Sequence, residues 1–427
     1  MSTNQGPLLT DTPDLATVSR WPIAFRSLRH RDFRLFWCGQ VISVMGTWMQ
    51  NVAQPWLVYD LTHRPLYLGL VGACSSLPVL LLTLPAGVIA DRCSKRKVIF
   101  VTQLLATLQA FGLAALVYLK DDHGVPLVRV WHVMLMAAAL GAINAFDMTS
   151  RQSIPVELVG KDDLFNAIAL NSSAFNSGRV IGPAIAGVLI AKVGVPACFF
   201  INGVSFVPVL IALLLIPPRP PQASRNGTMA DHIKEGVAWV RGQPIALALL
   251  ALTAVSSTFA MPYATLLPVF ARDVYDAGPK GLGFMHAAYG VGAVMAALML
   301  AALGHRWRLG RAVTVGSFMF PAMLVAVALA PRYGIALACL FLTGLGMMTF
   351  NAVSNTMLQR DPPDELRGRV MSLRILVFAG LAPVGALQIG AVAESQGPRF
   401  ALALGGLVCL LAAVAVWWRV PRLRRSR

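Results

Sequence analysis

The chain has 427 residues, of which 56% are hydrophobic and only 13% are charged, and its formal net charge is +17. Soluble globular proteins carry about 25% charged residues, so this composition excludes a soluble enzyme and indicates a membrane protein. The charge does not indicate a nucleic-acid partner, because the Lys and Arg residues lie in short clusters between apolar runs and are expected to face the anionic inner leaflet of a lipid bilayer.

Twelve apolar runs are long enough to cross a membrane as helices, at about 20 residues for each crossing. They lie near residues 33–59, 66–90, 98–119, 130–150, 164–191, 197–217, 245–271, 279–303, 312–330, 333–357, 367–393 and 400–418. If both termini are cytoplasmic, 26 of the 36 Lys and Arg residues fall on the cytoplasmic side and eight on the outer side. The positive-inside rule therefore predicts twelve spans with both termini in the cytoplasm. Residues 1–20 lack the features of a signal peptide, so we expect the first span to be retained.

The two halves of the chain repeat each other. Gly69 matches Gly283 at an offset of 214, and Asn144 matches Asn351 at an offset of 207. We therefore predict an all-α membrane protein with two six-helix bundles related by a pseudo-twofold axis. The predicted parts are a cytoplasmic tail at 1–32, a first bundle at 33–217, a linker with a surface helix at 218–244, a second bundle at 245–418 and a basic tail at 419–427.

The first span is polar at its centre, where Gln50, Asn51 and Gln54 follow one another at helical spacing. Because uncompensated amides are costly in hydrocarbon, these side chains are expected to line a substrate cavity or to bond a neighbouring helix. Asp60, at the outer end of the same span, is a candidate for proton coupling.

Residues 87–97 read GVIADRCSKRK and join spans 2 and 3. Their cations mark a cytoplasmic loop, in which the lone acid Asp91 can cap a helix N-terminus or pair with an arginine. The pattern resembles the signature loop of the major facilitator superfamily of transporters, although Ser94 stands where that family usually has Gly. The resemblance implies a conformational gate between this loop and the start of span 11. Its residues are Asp91, Arg92, Arg96, Arg367 and Arg369.

Span 4 ends with Asp147 and Arg151, which lie one helical turn apart and can form an ion pair together with Gln152. The pair is either a static structural contact or part of a gate at the cytoplasmic side. A partly buried carboxylate could also carry a proton. We favour Asp147 over Asp60 for that role, because it lies deeper from the nearest aqueous end.

Span 5 contains the sequence GRVIGPAIAG at residues 178–187. Gly178, Gly182 and Gly187 permit close approach of another helix, and Pro183 permits a bend. The sequence is similar to the span-5 motif of drug/proton antiporters in the same superfamily.

Arg179 lies within this motif, about 22 Å from the cytoplasmic end of the span at about 1.5 Å per residue. An unpaired guanidinium at that depth costs at least about 3 kcal/mol. We expect Gln50 and Gln54 to accept its hydrogen bonds and to leave a positive site for substrate. The alternative is that Arg179 bonds carbonyls opened by Pro183 and only holds the helix bend. In the second half, His286 and Tyr289 of span 8 are further candidates for substrate binding.

No phosphate loop, metalloprotease motif or nucleophile elbow is present, and the six cysteines are scattered. We therefore expect no ATP, no metal and no other cofactor. A membrane-embedded enzyme would need a nucleophile or metal cluster, and the spacing of Asp147, Arg151 and His286 does not form one. The sequence instead predicts a monomeric secondary transporter for a small molecule, with alternating access between the two bundles.

Segments 46–53, 147–152, 178–183 and 234–240 look like the enterobactin-exporter-like branch of the superfamily, which includes relatives of macrolide efflux pumps. This resemblance implies proton-coupled efflux of a siderophore-like or drug-like molecule, amphipathic or anionic, across the bacterial inner membrane. A uniporter or an importer of a small polar metabolite is compatible with the same fold.

Overall fold

The structure is a computed structural model that describes residues 23–151, 154–160, 162–217, 229–303 and 308–425. Over these residues the chain is helical and forms no strand beyond one isolated bridge between Lys120 and Pro126. In chain order the helices are α1 (Arg31–Thr62), α2 (Pro65–Arg92), α3 (Lys95–Tyr118), α4 (Val130–Arg151), α5 (Ile154–Val159), α6 (Leu164–Lys192), α7 (Val195–Ser205), α8 (Val207–Leu215), α9 (Met229–Gly242), α10 (Pro244–Val255), α11 (Tyr263–Val269), α12 (Gly278–Leu303), α13 (Leu309–Leu329), α14 (Tyr333–Arg360), α15 (Asp364–Gln396), α16 (Pro398–Arg419) and α17 (Pro421–Arg425).

Eleven helical stretches of the described chain are long and apolar enough to cross a membrane. Two of them are composite: Val195–Leu215 joins α7 and α8, and Pro244–Val274 joins α10 and α11. The remaining long helix, α1, has 32 residues but is not among them. Its polar centre, which includes the amides named above, explains the lower apolarity. The all-helical membrane fold is confirmed, whereas the count of twelve spans and the side on which the termini lie stay predictions.

Prolines and a glycine explain where some of these helices are interrupted or end. The composite span Pro244–Val274 contains two π-helical turns, Ser256–Ala260 and Phe270–Val274. Pro262 and Pro268 lie beside these turns, and each lacks the N–H that would continue the α-helical pattern. Gly397 has a φ of +90°, which favours glycine, and lets the chain turn from α15 into α16 within one residue.

The linker helix α9 packs against the second half of the protein. Val240 is buried in the same apolar cluster as Val370 of α15, and Glu235 forms an ion pair with Arg369. A Cβ atom on Gly236 would lie 3.1 Å from the carbonyl oxygen of Arg369, so the two backbones approach closely. Helix α9 is therefore docked on α15, and residues 218–228 before it lie outside the described chain.

The two halves, α1–α8 and α10–α16, contact each other chiefly through two helix pairs. Helix α2 packs against α15, and α6 packs against α12. Glycines permit both contacts: Gly69 faces Gly390, and Gly187 faces Gly283. These positions lie near the helix ends that the charge pattern places on the outer side. The halves are therefore closed against each other at the end that the charge pattern predicts to be the outer one.

We expect Gly187→Val to weaken this outer closure. A Cβ atom on Gly187 would lie 2.7 Å from the carbonyl oxygen of Pro279 and 3.0 Å from the Cα of Gly283. Overpacking of this kind costs about 1–3 kcal/mol, so the closed state should lose about tenfold in population. Spin labels at Asp122 and Arg332, which are exposed on the outer side of either half, should report a longer distance.

The matched control is Gly334→Val, because a Cβ atom at Gly334 meets nothing within 4 Å. An unchanged distance distribution in Gly187→Val would show that the close approach of α6 and α12 does not hold the outer end shut.

Candidate functional site

Arg179 lies on α6 between two aromatic rings. Its guanidinium carbon is 5.2 Å from the centre of the Trp48 ring and 5.8 Å from that of Phe175. The glycines that flank Arg179 bring Trp48 close, since a Cβ atom on Gly182 would lie 2.6 Å from the Cβ of Trp48. A Cβ atom on Gly178 would likewise lie 2.6 Å from a methyl carbon of Val44 on α1. The small residues of span 5 therefore place an arginine over aromatic faces, which favours cation–π attraction.

The second half contributes two tyrosines to this site. Tyr263 of α11 and Tyr289 of α12 are both buried, and their ring centres are 5.4 Å apart. A Cβ atom on Gly290, the residue after Tyr289, would lie 3.1 Å from the backbone carbonyl oxygen of Arg179. Arg179 therefore lies where the two halves meet, beside Tyr289, which was a predicted site residue, and Tyr263, which was not.

The guanidinium of Arg179 has no acid to neutralise it in the described chain. No ion pair to Arg179 is present there, and its buried Nε–H has no hydrogen-bond acceptor. A buried donor without an acceptor costs about 1–3 kcal/mol, more when it is charged. The arrangement leaves a positive group and an open hydrogen bond at the interface, which is the chemistry that an anion would satisfy.

The amides expected to bond Arg179 do not do so, and this expectation was wrong for Gln50. Gln50 is buried within the first half, where it donates to Oε1 of Gln109 at 3.2 Å and accepts from Nδ2 of Asn202 at 2.7 Å. The reason is the helix periodicity: Trp48, which faces Arg179, lies two residues from Gln50, about 200° around α1.

The structure also shows where the other predicted substrate-binding residues lie. Gln54 is buried in α1, and Asn51 between the two amides is exposed. His286 is half-buried on α12, three residues before Tyr289, and no hydrogen bond joins it to any other described residue. The structure thus brings Tyr289 close to Arg179. It shows no contact between Arg179 and the side chains of Asn51, Gln54 or His286.

Asp147 and Arg151 form a bidentate ion pair near the inner end of α4. Nε of Arg151 donates to Oδ2 of Asp147 at 2.7 Å, and an Nη atom donates to Oδ1 at 3.0 Å. Thr102 and Gln103 of α3 each donate to Oδ1 at 3.0 Å. Asp147 is buried, so the pair joins α3 and α4 inside the first half. Gln152, expected in the same cluster, lies outside the described chain.

The predicted inner gate is only partly described. Helix α2 continues to Arg92, so Asp91 lies in its last turn and the expected loop is reduced to two residues, Cys93 and Ser94. The side chains of Asp91 and Arg92 lie outside the described set. Arg96 donates to the carbonyls of Leu213 and Leu214, at 2.5 and 3.4 Å, and so caps the end of α8.

On α15, the two gate arginines have partners close by. Arg367 pairs with Asp364 at 2.5 Å, three residues earlier in the same helix, and donates to the carbonyl of Gln359. Arg369 pairs with Glu235 of the linker helix α9. Among the described side chains, neither arginine joins the two halves, and the contact of Asp91 with this region stays a prediction.

Among the described side chains, the polar contacts that join the halves lie at the end predicted to be the outer one, and the sequence did not predict them. Asp60 pairs with Arg272, and the hydroxyl of Tyr59 donates to Asp273. A third contact joins Arg64 to Glu394 at 2.6 Å. The sequence repeat could have predicted one of these contacts, because Tyr59 and Asp273 are 214 residues apart, and 214 is the offset between the two halves. Asp60, a predicted proton carrier, is therefore part of the outer closure.

A second polar cluster fixes the N-terminal segment to the inner end of α6. Asp163 is buried, and two arginines and a histidine surround its carboxylate: Arg26 at 3.0 Å, Arg29 at 2.8 Å and His30 at 2.8 Å. Burial acts to raise the pKa of this carboxyl, but the hydrogen bond to His30 and the charges of Arg29 and Arg26 outweigh it and lower the pKa below its ordinary value.

Because the folded-state pKa of Asp163 is lowered, its contribution to stability is complete above the ordinary pKa of 3.8 and is lost as the pH falls below it. We expect Asp163→Asn to be less stable by about 2 kcal/mol at neutral pH. This gap should stay constant down to about pH 5 and shrink toward about pH 3. Thermal unfolding of the wild-type protein and of Asp163→Asn, measured as a function of pH, gives this gap. A gap that persists undiminished at the lowest pH would contradict the assignment.

Within the described residues, no three His, Cys, Asp or Glu side chains come together in a way that could hold a metal ion. The candidate site is therefore built from an arginine, aromatic rings and ion pairs. Such groups can bind and position a solute.

Comparison with known proteins identifies the family to which this chain belongs. A family model described as transmembrane secretion effector matches residues 23–426. The chain is 27% identical to the staphyloferrin A transporter of Staphylococcus aureus, over 85% of this chain and 90% of that protein. It is 26% identical to the multidrug efflux pump Tap of Mycolicibacterium fortuitum, over 89% and 93% of the two chains. It is 25% identical to the enterobactin exporter EntS of Escherichia coli O139:H28, over 93% and 94%.

Solved structures show the same fold. The crystal structure of a bacterial homologue of the human lysosomal transporter Spinster, inward-facing and unoccupied, superposes with a TM-score of 0.73 at 13% identity. The superposition covers 93% of this chain and 98% of that one. The chain is thus a multi-span transporter of the bacterial inner membrane, and it belongs to the transmembrane secretion effector family within the major facilitator superfamily.

Proposed function

We propose that the protein exports an amphipathic anion, siderophore-like or drug-like, in exchange for protons and by alternating access. The observation that carries this proposal is Arg179, a guanidinium at the junction of the two halves with aromatic rings around it and no acid partner in the described chain. The names of the relatives, which include a siderophore exporter and a multidrug efflux pump, support efflux of such a molecule.

The geometry suits a flat anion. The charged group of the substrate would accept hydrogen bonds from the guanidinium, while its apolar or aromatic part would pack against Trp48 and Phe175 or against the two tyrosines. Because the site has side chains from both halves, its shape changes when the halves move relative to each other. A substrate bound there would therefore have a different affinity in each conformation, as transport requires.

We infer that Asp147 is the group that couples transport to protons. Its side chain is 12% exposed, whereas that of Asp60 is 51% exposed at the outer end. A carboxylate that carries a proton between two compartments has to be shielded from both for part of the cycle. In the present conformation Arg151 occupies both oxygens of Asp147, so proton uptake requires this pair to open.

Export is tested in cells that lack the gene and in the same cells complemented with it, loaded with a radiolabelled catecholate or macrolide. Complemented cells should retain less of the compound, and a protonophore should abolish the difference, because no phosphate loop is present for ATP to drive the export. A protonophore that leaves the difference unchanged would exclude proton coupling. Greater retention in the complemented cells would favour an importer instead.

A further inference from the structure

Arg374 of α15 is, like Arg179, a half-buried arginine without an acid partner in the described chain. Its Nη1 donates to Oδ1 of Asn355 at 3.0 Å, and its Nη2 donates to the side chain and the backbone carbonyl of Asn351. Its Nε–H is buried and has no acceptor. Arg374 is ten residues, about 15 Å, from the start of α15, which has 33 residues. Two amides orient this cation but do not neutralise it.

A narrow cleft opens beside Arg374. The cleft has a free volume of about 20 Å³, which is enough for little more than one water molecule. Its lining includes Ser256, Ser257, Asn351 and Phe378. The hydroxyl of Ser257 donates to the carbonyl of Phe378 at 2.6 Å and so holds α15 against the π-helical turn. The cleft can admit an oxygen atom of an anion, whereas an aromatic ring would have to remain outside it.

The same interrupted span connects this cleft with the site at Arg179. Ser257 lines the cleft, and Tyr263, one of the two tyrosines beside Arg179, follows it by six residues. Six residues of helix correspond to an axial rise of about 9 Å. The two arginines therefore flank one span, one arginine in each half of the protein, and each presents an unsatisfied Nε–H.

We propose that Arg374 is a second anion-binding point for the transported molecule, which carries at least two anionic groups. One group binds at Arg179 and the other at Arg374, and the body of the molecule lies between the halves. This inference rests on the proposed function of Arg179 and narrows the substrate class to dianions and polyanions. A ligand held by one arginine from each half responds directly to their separation, so it binds the two conformations differently.

The test uses rigid aromatic acids of two lengths, terephthalate and biphenyl-4,4′-dicarboxylate, each compared with its monomethyl ester. The ester keeps the ring and one carboxylate and loses one charge. Binding is measured by isothermal titration calorimetry on the full chain in nanodiscs. We expect at least one dianion to bind the wild-type protein about tenfold more tightly than its ester, as a second charge-assisted hydrogen-bond pair predicts.

Arg374→Gln should bind the dianion and its ester equally, with the affinity for the ester retained. The matched control Arg311→Gln removes an exposed arginine of α13 and should keep the difference. Esters that bind through Arg179 without any gain for either dianion would overturn this inference alone, as would a difference that survives in Arg374→Gln. If none of the four compounds binds the wild-type protein, the proposed anionic substrate fails together with the inference.

Discussion

Replacing Arg179 by Gln is expected to abolish substrate binding while leaving a folded, monodisperse protein. The guanidinium has no acid partner in the described chain and its Nε–H has no acceptor there, so its removal breaks no internal ion pair. The cation–π contacts with Trp48 and Phe175 are lost, at a cost of about 0.5–2 kcal/mol. An anionic substrate loses a bidentate, charge-assisted contact in a water-poor site, which costs about 2–5 kcal/mol, or roughly 30-fold to several thousand-fold in affinity.

Arg179→Lys separates charge from geometry. Lysine keeps the positive charge but loses the planar fork that binds a carboxylate with two parallel hydrogen bonds and stacks on an indole. We expect the Lys variant to bind the substrate more weakly than the wild-type protein and more tightly than the Gln variant. The measurements are equilibrium binding and transport in proteoliposomes, with size-exclusion chromatography as the control for folding. A Gln variant that binds and exports normally would show that Arg179 only stabilises the bend of α6, and the case for an anionic substrate would end there.

The helices and the packing face of span 5 could be predicted because both depend on local patterns. Apolar runs of the length of a bilayer become helices in lipid, since each backbone N–H and C=O needs a partner within the segment. The small residues at positions 178 and 182 likewise predict a close contact without naming the partner. The structure supplies that partner, α1, and with it Trp48.

The contacts of individual polar side chains could not be predicted in the same way. Gln50 was expected to reach Arg179, but its partners Gln109 and Asn202 lie on α3 and α7, and no spacing in the sequence relates them. The sequence allowed the depth of each residue in the membrane to be estimated, but it did not give the direction in which each side chain points around its helix axis. By contrast, Tyr59 and Asp273 lie at the repeat offset of 214. Residues near a pseudo-twofold axis contact their repeat equivalents, so this contact was accessible to sequence reasoning.

Asp147→Asn is expected to produce the largest loss of stability among single substitutions of the polar residues. The side chains of Asp147 and Arg151 are only 12% and 18% exposed. Removing one partner of a buried ion pair costs about 3–5 kcal/mol, because the other charge stays buried without compensation. Thermal unfolding in detergent measures the effect. The matched control is Asp364→Asn, since Asp364 pairs with Arg367 but is 86% exposed, and an exposed pair contributes little.

The double variant Asp147→Asn/Arg151→Gln separates stability from coupling. Because it leaves no buried charge, it should recover much of the stability that Asp147→Asn alone loses, and the difference gives the interaction energy of the pair. If Asp147 carries the proton, the double variant should still exchange substrate between two equal pools, but it should no longer export substrate uphill in response to a pH gradient. Recovery of both stability and uphill export would leave the pair with a structural role only, and Asp60 or another carboxylate would then have to couple the proton.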